Sequence, residues 1–282
     1  MMISLTQQDI LAHQMVVPWP SLRHVEQDLL LCLAMVALFS DEFLGTQIAM
    51  RGGTLLHKIY LAPAARYSED IDLVVIGNRP EDHVRKALRR VLVDVLSTPK
   101  VSAWDAIALA IRNTAKPSRI LRMTYLVPSM STPGASLEIT VEANVTERTP
   151  HQPVMPIPFE IPFRGEPLKT TINGYDIHEM LGTKMRALFQ RRRGRDLFDL
   201  YHAFTFARTP VDPDAVIRSF LHYLRQENSR AGRREFISIL DAHLTDTGFL
   251  SDMNHLLRRG IVYDPQIAGS YIRSNLLSRL PD

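Results

Sequence analysis

The segment Arg66–Ile76, RYSEDIDLVVI, sets the tightest limit on what this chain can fold into. Its second half is the apolar, β-branched text of a buried strand, yet Asp70 and Asp72 alternate with Ile71 and Leu73 at its start. Side chains two apart on a strand project to the same face, so both carboxylates stand together. Like charges held that close repel each other unless a cation or a proton lies between them. Whether the pair is half of a metal site depends on whether the rest of the chain supplies the other half.

A chain of 282 residues can form one large domain or two moderate ones with proper cores. With 45% hydrophobic and 22% charged residues its composition is that of a globular protein, not a disordered one. The 33 Lys and Arg against 30 Asp and Glu leave +3, too little to argue for nucleic acid, so local clustering must carry that argument. A single cysteine, Cys32, excludes an intramolecular disulfide and a multi-cysteine zinc site, and suits a reducing cytoplasm. The longest apolar run, LLLCLAMVALF from Leu29 to Phe39, falls well short of the roughly 20 residues that span a bilayer. Asp9 and the lack of a basic segment ahead of the run argue against a signal peptide. The run is expected to be a buried helix, and no membrane association is expected.

Four blocks follow one another without an internal repeat. From Ser4 to about Phe43 the text is helical: Ser4 or Thr6 can cap a first helix, Pro18 and Pro20 interrupt, and Ser21 can start a second. From about Ile48 to Asn144 it is mixed. RGGTLLHKIYL is a turn into a helix, DIDLVVI a strand, Asp82–Leu96 a helix with Val84, Leu88, Val91, Leu92 and Val95 as its stripe, and SRILRMTYLV and SLEITVEANV alternate as strands. HQPVMPIPFEIPFRGEP, from His151 to Pro167, should be extended, as a boundary or a cover strand. From Asp176 onward the text is helical again. An α/β core with a mixed sheet, followed by a helical domain, is the simplest architecture, divided as N-terminal helices over 1–46, the core over 47–170 and the helical domain over 171–282.

Candidate pieces of chemistry are scattered along this frame. Gly52 and Gly53 stand just before a helix, where backbone without side chains can approach a phosphate; the plain alternative is a helix-entry turn. In SLEITVEANV, Glu138, Thr140, Glu142 and Asn144 share one face, and one of the two glutamates could complete a set of three carboxylates. Three hard oxygen ligands suit Mg2+, while a solvated edge face is the alternative, favoured for Glu138. Downstream, one helix should run from about Ile177 to Arg193 and stop at Gly194, with a second starting near Asp196. Lys184 falls close to the apolar side of the first and needs an anionic partner, for which Asp196 and Asp199 are candidates. The structural alternative makes Asp196 an N-cap, Lys184 and Asp199 an inter-helix ion pair, and Arg191, Arg192 and Arg193 a solvated helix end.

RGGTLLHKIYL, RYSEDIDLVV and, much later, GTKMRALFQRRRGRDLFDL together resemble the AbiEii family of nucleotidyltransferase toxins, found in toxin–antitoxin pairs. The resemblance runs from about Ile48 to Phe204. It implies a nucleotidyltransferase core of polymerase-β type and a Mg2+-dependent transfer from a nucleoside triphosphate. By the same resemblance Gly52 and Gly53, with Thr54, match the glycine motif at the nucleotide, and Ser68 lies beside its phosphates. Asp70 and Asp72 match the metal ligands, and Glu142, in VEAN, is the third carboxylate in preference to Glu138. Lys184 is expected at the triphosphate, and Asp199 matches a later essential acid; Asp196 shares its segment. Ala143 stands where the family usually has a larger aliphatic residue. An RNA acceptor, in particular the tRNA 3′ end, is implied, with a pyrimidine nucleotide often the one added, translation blocked, and a cognate antitoxin as partner. Arg191, Arg192, Arg193 and Arg195 are the candidate RNA contacts, with Arg230, Arg233, Arg234, Arg258 and Arg259 further basic positions. Two other outcomes keep the fold: nucleotidylylation of a protein or small molecule, and a non-catalytic protein that binds RNA or a partner. Val211–Asp282 carries no matched motif.

Overall fold

The structure is a computed structural model describing residues 5–17, 19–96, 105–109 and 118–282, with backbone only for 105–109, 118 and 119. Ser4 and Pro18, given roles at the first helix, lie outside the described residues. The chain divides into two compact units. The first takes in the chain through Leu55, then Tyr67–Leu109 and Ser118–Tyr175; the second holds Leu56–Arg66 and Asp176–Asp282.

The first unit is built on a seven-stranded mixed sheet. In chain order its strands are β1 (Ile48–Arg51), β2 (Asp70–Val75), β3 (Asp105–Leu109), β4 (Ser118–Pro128), β5 (Ser136–Asn144), β6 (Met155–Phe163) and β7 (Glu166–Gly174). Across the sheet the order is β3-β4-β5-β2-β1-β7-β6. β2 runs parallel to β5 and antiparallel to β1, while β4 pairs antiparallel with both β3 and β5. Alternation divides β5 as expected: Leu137, Ile139, Val141 and Ala143 are buried, and Glu138 is exposed. Helix α1 (Gln7–Gln14) is closed by a reciprocal cap, Thr6 accepting from the Asp9 amide and Asp9 from the Thr6 amide.

Helix α2 (Leu22–Ser40) contains the apolar run, and Leu29–Met35, Leu38 and Phe39 are buried in it. No described helix is long and apolar enough to cross a membrane. α2 also carries a buried glutamate. Glu26 accepts from the Ser129 and Ser131 hydroxyls (2.8 and 2.6 Å) and from the Met130 and Ser131 amides (2.6 and 3.0 Å), so it fastens the turn between β4 and β5. One helix turn α3 (Leu44–Gln47) and another, α4 (Gly52–Leu55), flank β1. α5 (Glu81–Leu96) buries the five residues of its expected stripe.

The proline-rich segment is β6, which among the described residues is hydrogen-bonded on one side only, to β7, at the edge of the sheet. Pro156, Pro158 and Pro162 supply no amide donor, which an edge strand tolerates.

The second unit opens with a π-helical turn, Leu56–Tyr60. It continues with α6 (Ile177–Gln190), α7 (Gly194–Phe206), α8 (Pro213–Gln226), α9 (Arg233–His243), α10 (Thr247–Ser251) and α11 (Pro265–Asn275). Two expectations are corrected here. α6 ends at Gln190, so Arg191–Arg193 form a connection and not a helix end. Gly194 is the first residue of α7 and not a stop: a Cβ there would lie 2.3 Å from the Phe249 carbonyl oxygen, so the helix start needs a residue without a side chain. Asp196 accordingly sits in the first turn of α7, with Arg193 at the N-cap.

Candidate active site

The acid pair is placed by register. Asp70 and Asp72 are half-buried and alternate with the buried Ile71 and Leu73, so they share the less covered face of β2. On the parallel neighbour β5, Thr140 stands opposite Asp70 and Glu142 opposite Asp72. Glu138 is beyond this row and exposed, so of the two glutamates Glu142 is the one beside the pair. Adjacent strands lie about 4.8 Å apart, so Glu142 and Asp72 are cross-strand neighbours on one face, with the Glu142 carboxylate engaged by Arg122. Among the described residues no hydrogen bond engages the Asp72 carboxylate.

Arginines close the row at both ends, and sequence reasoning missed them. Arg51 of β1 is opposite Asp72, and Arg122 of β4 is opposite Glu142. Arg51 donates to Glu147 at 2.5 Å, and Glu147 is buried and held by a turn in which Asn144 Oδ1 accepts its amide (2.8 Å). Arg122 Nε donates to Glu142 Oε1 at 2.6 Å. The signal for Arg122 was an arginine on the polar phase of SRILRMTYLV, legible only once the pairing of that strand is known.

Gly52 has a physical reason to be glycine. Its φ is +83°, and a Cβ would fall 1.9 Å from Asp72 Oδ2 and 2.7 Å from Asp72 Cβ. The backbone of the glycine turn therefore lies directly against the Asp72 side chain. Gly53 and Thr54 follow in α4, both buried. Thr54 Oγ1 is 2.9 Å from Ser68 Oγ and 2.5 Å from the Asp70 carbonyl oxygen, so this hydroxyl ties α4 to the strand that carries the acids. Ser68 is half-buried beside it.

In the second unit Lys184, Asp196 and Asp199 come together. Lys184 Nζ is 2.9 Å from Asp199 Oδ2 and 3.4 Å from Asp196 Oδ1, an ion pair between α6 and α7. Both carboxylates are completely buried. Asp199 is also bridged by Arg66, Nε to Oδ1 at 2.6 Å and Nη2 to Oδ2 at 2.7 Å, and by His57 Nε2 at 2.8 Å. Burial alone would raise its pKa, but the charges of Arg66 and Lys184 and the bonds from Arg66 and His57 hold it well below the usual carboxylate range. An acid with four donors around it positions cations; it is not a base. Asp196 is held down likewise, against burial, by the charges of Arg191 and Lys184. Burial and the Arg66 charge push His57 down to about 4, so it is neutral at pH 7 and its Nε2 carries the proton given to Asp199. Neither His57 nor Arg66 was singled out from sequence, because each lies over 130 residues from Asp199.

The arginines proposed for RNA are all engaged by carboxylates. Arg191 donates to Asp196 (2.8 Å), Arg192 to Asp246 (3.0 Å) and Arg195 to Asp252 (3.3 Å), with Arg193 3.9 Å from Asp252. Their positive field is thus partly cancelled locally.

Asp70, Asp72 and Glu142 offer oxygen donors alone, the chemistry Mg2+ takes, but with Glu142 held by Arg122 their carboxylates are not gathered within 4.8 Å of one another. A tighter cluster, His13, Asp28 and Cys32, lies buried in the first unit with its ligating atoms mutually within 4.8 Å. Its nitrogen and sulfur donors do not suit Mg2+, and Asp28 is already occupied by His13 Nε2 and Trp19 Nε1, both at 2.8 Å. A metal on Nε2 would move the ring proton to Nδ1, which is buried and finds no acceptor among the described residues. This cluster joins α1 to α2 by hydrogen bonds.

Paired carboxylates on one sheet face, backed by a left-handed glycine turn, can hold a divalent cation against the phosphates of a nucleotide, and a mixed sheet of this kind is the frame of nucleotidyltransferases. The family model for the nucleotidyl transferase AbiEii toxin of type IV toxin–antitoxin systems matches residues 33–266, and the chain belongs to that family. Among solved structures it is similar to MenT4, a nucleotidyltransferase toxin from Mycobacterium tuberculosis H37Rv, with 18% identity over 98% of this chain and 91% of that one and a TM-score of 0.63, a likeness of fold. An antigenic nucleotidyltransferase-like protein from Paracoccidioides brasiliensis is matched at 16% identity over 77% and 93% of the two chains, with a TM-score of 0.37, too low to carry an argument. Comparison with curated proteins gives no match.

Proposed function

We propose that the protein transfers a nucleoside monophosphate from a nucleoside triphosphate to an RNA acceptor, the 3′ end of tRNA, and so stops translation in the cytoplasm until a cognate antitoxin restrains it. The observation that supports this reading above all is the row on the sheet: Asp70 and Asp72 together, Glu142 opposite Asp72, and the Gly52 backbone against the Asp72 side chain. Asp70, Asp72 and Glu142 would hold Mg2+, which when bound neutralises phosphate charge and lowers the pKa of an attacking hydroxyl. The glycine turn leaves room for phosphate oxygens beside those acids, and Thr54 fixes Ser68 and the start of β2. The acceptor hydroxyl attacks the α-phosphorus, a new P–O bond forms, the α–β bridge breaks, pyrophosphate leaves and the hydroxyl proton passes to solvent. Lys184 is assigned to triphosphate charge, and Asp199 is its positioning carboxylate. The acceptor and a pyrimidine as the added nucleotide are supported by the family resemblance.

The test is incubation with Mg2+, each α-labelled NTP in turn, and total tRNA, either intact or with its 3′ diol cleaved by periodate. Label is expected on intact RNA and absent from the oxidised RNA. Label on protein alone would replace the RNA acceptor with a protein one, an outcome that the carboxylate-paired arginines would accommodate. No label with any nucleotide, from protein that still binds RNA, would make it a binding protein.

A further inference from the structure

Arg122 has no part in the chemistry above, yet it sits at the end of the acid row. Asp72, Glu142 and Arg122 are consecutive cross-strand neighbours on β2, β5 and β4. Two adjacent carboxylates need a counter-charge when no metal is bound, and the guanidinium supplies one: Nε lies 2.6 Å from Glu142 Oε1, and Nη2 reaches the same oxygen. The two partners differ in freedom. The Arg122 side chain is 41% exposed, whereas that of Glu142 is 20% exposed. At the other end Arg51 and Glu147 are 14% and 8% exposed, a fixed pair. Glu26 pins the β4–β5 turn and Gln27 donates to the Glu138 carbonyl (2.8 Å), so the strands are anchored and the more exposed Arg122 side chain has the greater room to move.

We propose that Arg122 is a displaceable counter-cation of the metal site: it holds Glu142 in place while the site is free of metal, then cedes that carboxylate to the divalent cation and turns its guanidinium toward the substrate phosphates. The inference rests on the metal-dependent transfer proposed above. It makes Arg122 a positioning residue with an unusual signature, because it competes with the metal while assisting the substrate.

The experiment is Mn2+ binding to nucleotide-free, full-length protein, followed by the paramagnetic resonance of the free ion, for wild type, Asp72→Asn, Arg122→Gln and Arg90→Gln. Arg90 pairs with Asp41 on the surface and controls for loss of one positive charge. Wild type is expected to bind, and Asp72→Asn to lose the site. Arg122→Gln should bind Mn2+ about 2- to 5-fold more tightly, the worth of a half-exposed ion pair, while the KM for the triphosphate rises. Arg90→Gln should leave both unchanged. Unchanged or weaker Mn2+ binding in Arg122→Gln, or equal tightening in Arg90→Gln, overturns the proposal but leaves the metal site standing. Absence of any Asp72-dependent Mn2+ binding in wild type overturns both. Should Arg122→Gln not fold, Arg122→Lys carries the test, since an ammonium cannot set two nitrogens on Oε1 and should tighten binding in the same direction.

Discussion

Replacing Gly52 with alanine puts a number on how closely the glycine turn and the acid pair are built together. The new Cβ would meet three atoms, all of Asp72: Oδ2 at 1.9 Å, Cγ at 2.6 Å and Cβ at 2.7 Å. Rotation about χ1 can carry Oδ2 and Cγ away, but Cβ is fixed to the β2 backbone, so the strand and the turn must also separate. A left-handed φ of +83° costs an alanine about 1–2 kcal/mol. Forced separation of packed backbone adds about 1–3 kcal/mol. The sum, about 2–5 kcal/mol, corresponds to a fall on the order of 10 °C in the melting temperature. Thermal unfolding followed by far-ultraviolet circular dichroism measures it. Because Asp72→Ala removes two of the three clashing atoms, Gly52→Ala should cost less in that background by about 1 kcal/mol or more, a coupling that a double-mutant cycle reads directly. An unchanged melting temperature, or equal costs in the two backgrounds, would refute the close approach.

Two further outcomes concern the second unit. Asp199→Asn strips the buried Arg66 of its charged partner and should destabilise by about 3–5 kcal/mol, read by denaturant unfolding; a loss under 1 kcal/mol would contradict the network. His57 is depressed from 6.5 to about 4 in the folded protein, so the unfolded chain takes up its proton first. Stability should then fall as pH drops from about 6.5 to about 4, by up to about 3 kcal/mol from His57, and the fall should be smaller in His57→Gln, where His202 and His243, also lowered by burial, supply the remainder; carboxylates such as Asp199, depressed below 3.8, add their own loss only at lower pH.

How much of this was legible in the sequence depended on whether the deciding contacts were local. The strands β2 and β5 and the stripe of α5 were readable because burial on one face imposes a period that the residues themselves display. The residues of β5 alone left Glu138 and Glu142 both open; the family resemblance favoured Glu142, and the physical reason is the register of β5 against β2, which no single strand encodes. The break between α6 and α7 was misplaced because three arginines, good helix formers, precede Gly194, and the reason for that glycine is the Phe249 carbonyl 55 residues away. β7 was not expected as a strand: only Ile172 and Gly174 of EPLKTTING are buried, too little to show a period, and its strand form comes from β6 on one side and β1 on the other. Glu26 was hidden inside an apolar helix, its partners more than 100 residues further on. Lys184 was the opposite case, since a lysine on the apolar side of a helix demands an acid, and Asp196 and Asp199 are where the next helix provides them.

The most direct measurement is nucleotide transfer by Asp72→Asn protein whose melting temperature matches that of wild type, with Mg2+ and the preferred labelled triphosphate. If Asp72 holds the metal at the reacting phosphate, transfer should drop by about 10²-fold or more, as it does when a group that stabilises transition-state charge is lost. Transfer within a few-fold of wild type from the folded variant would contradict the account at its centre.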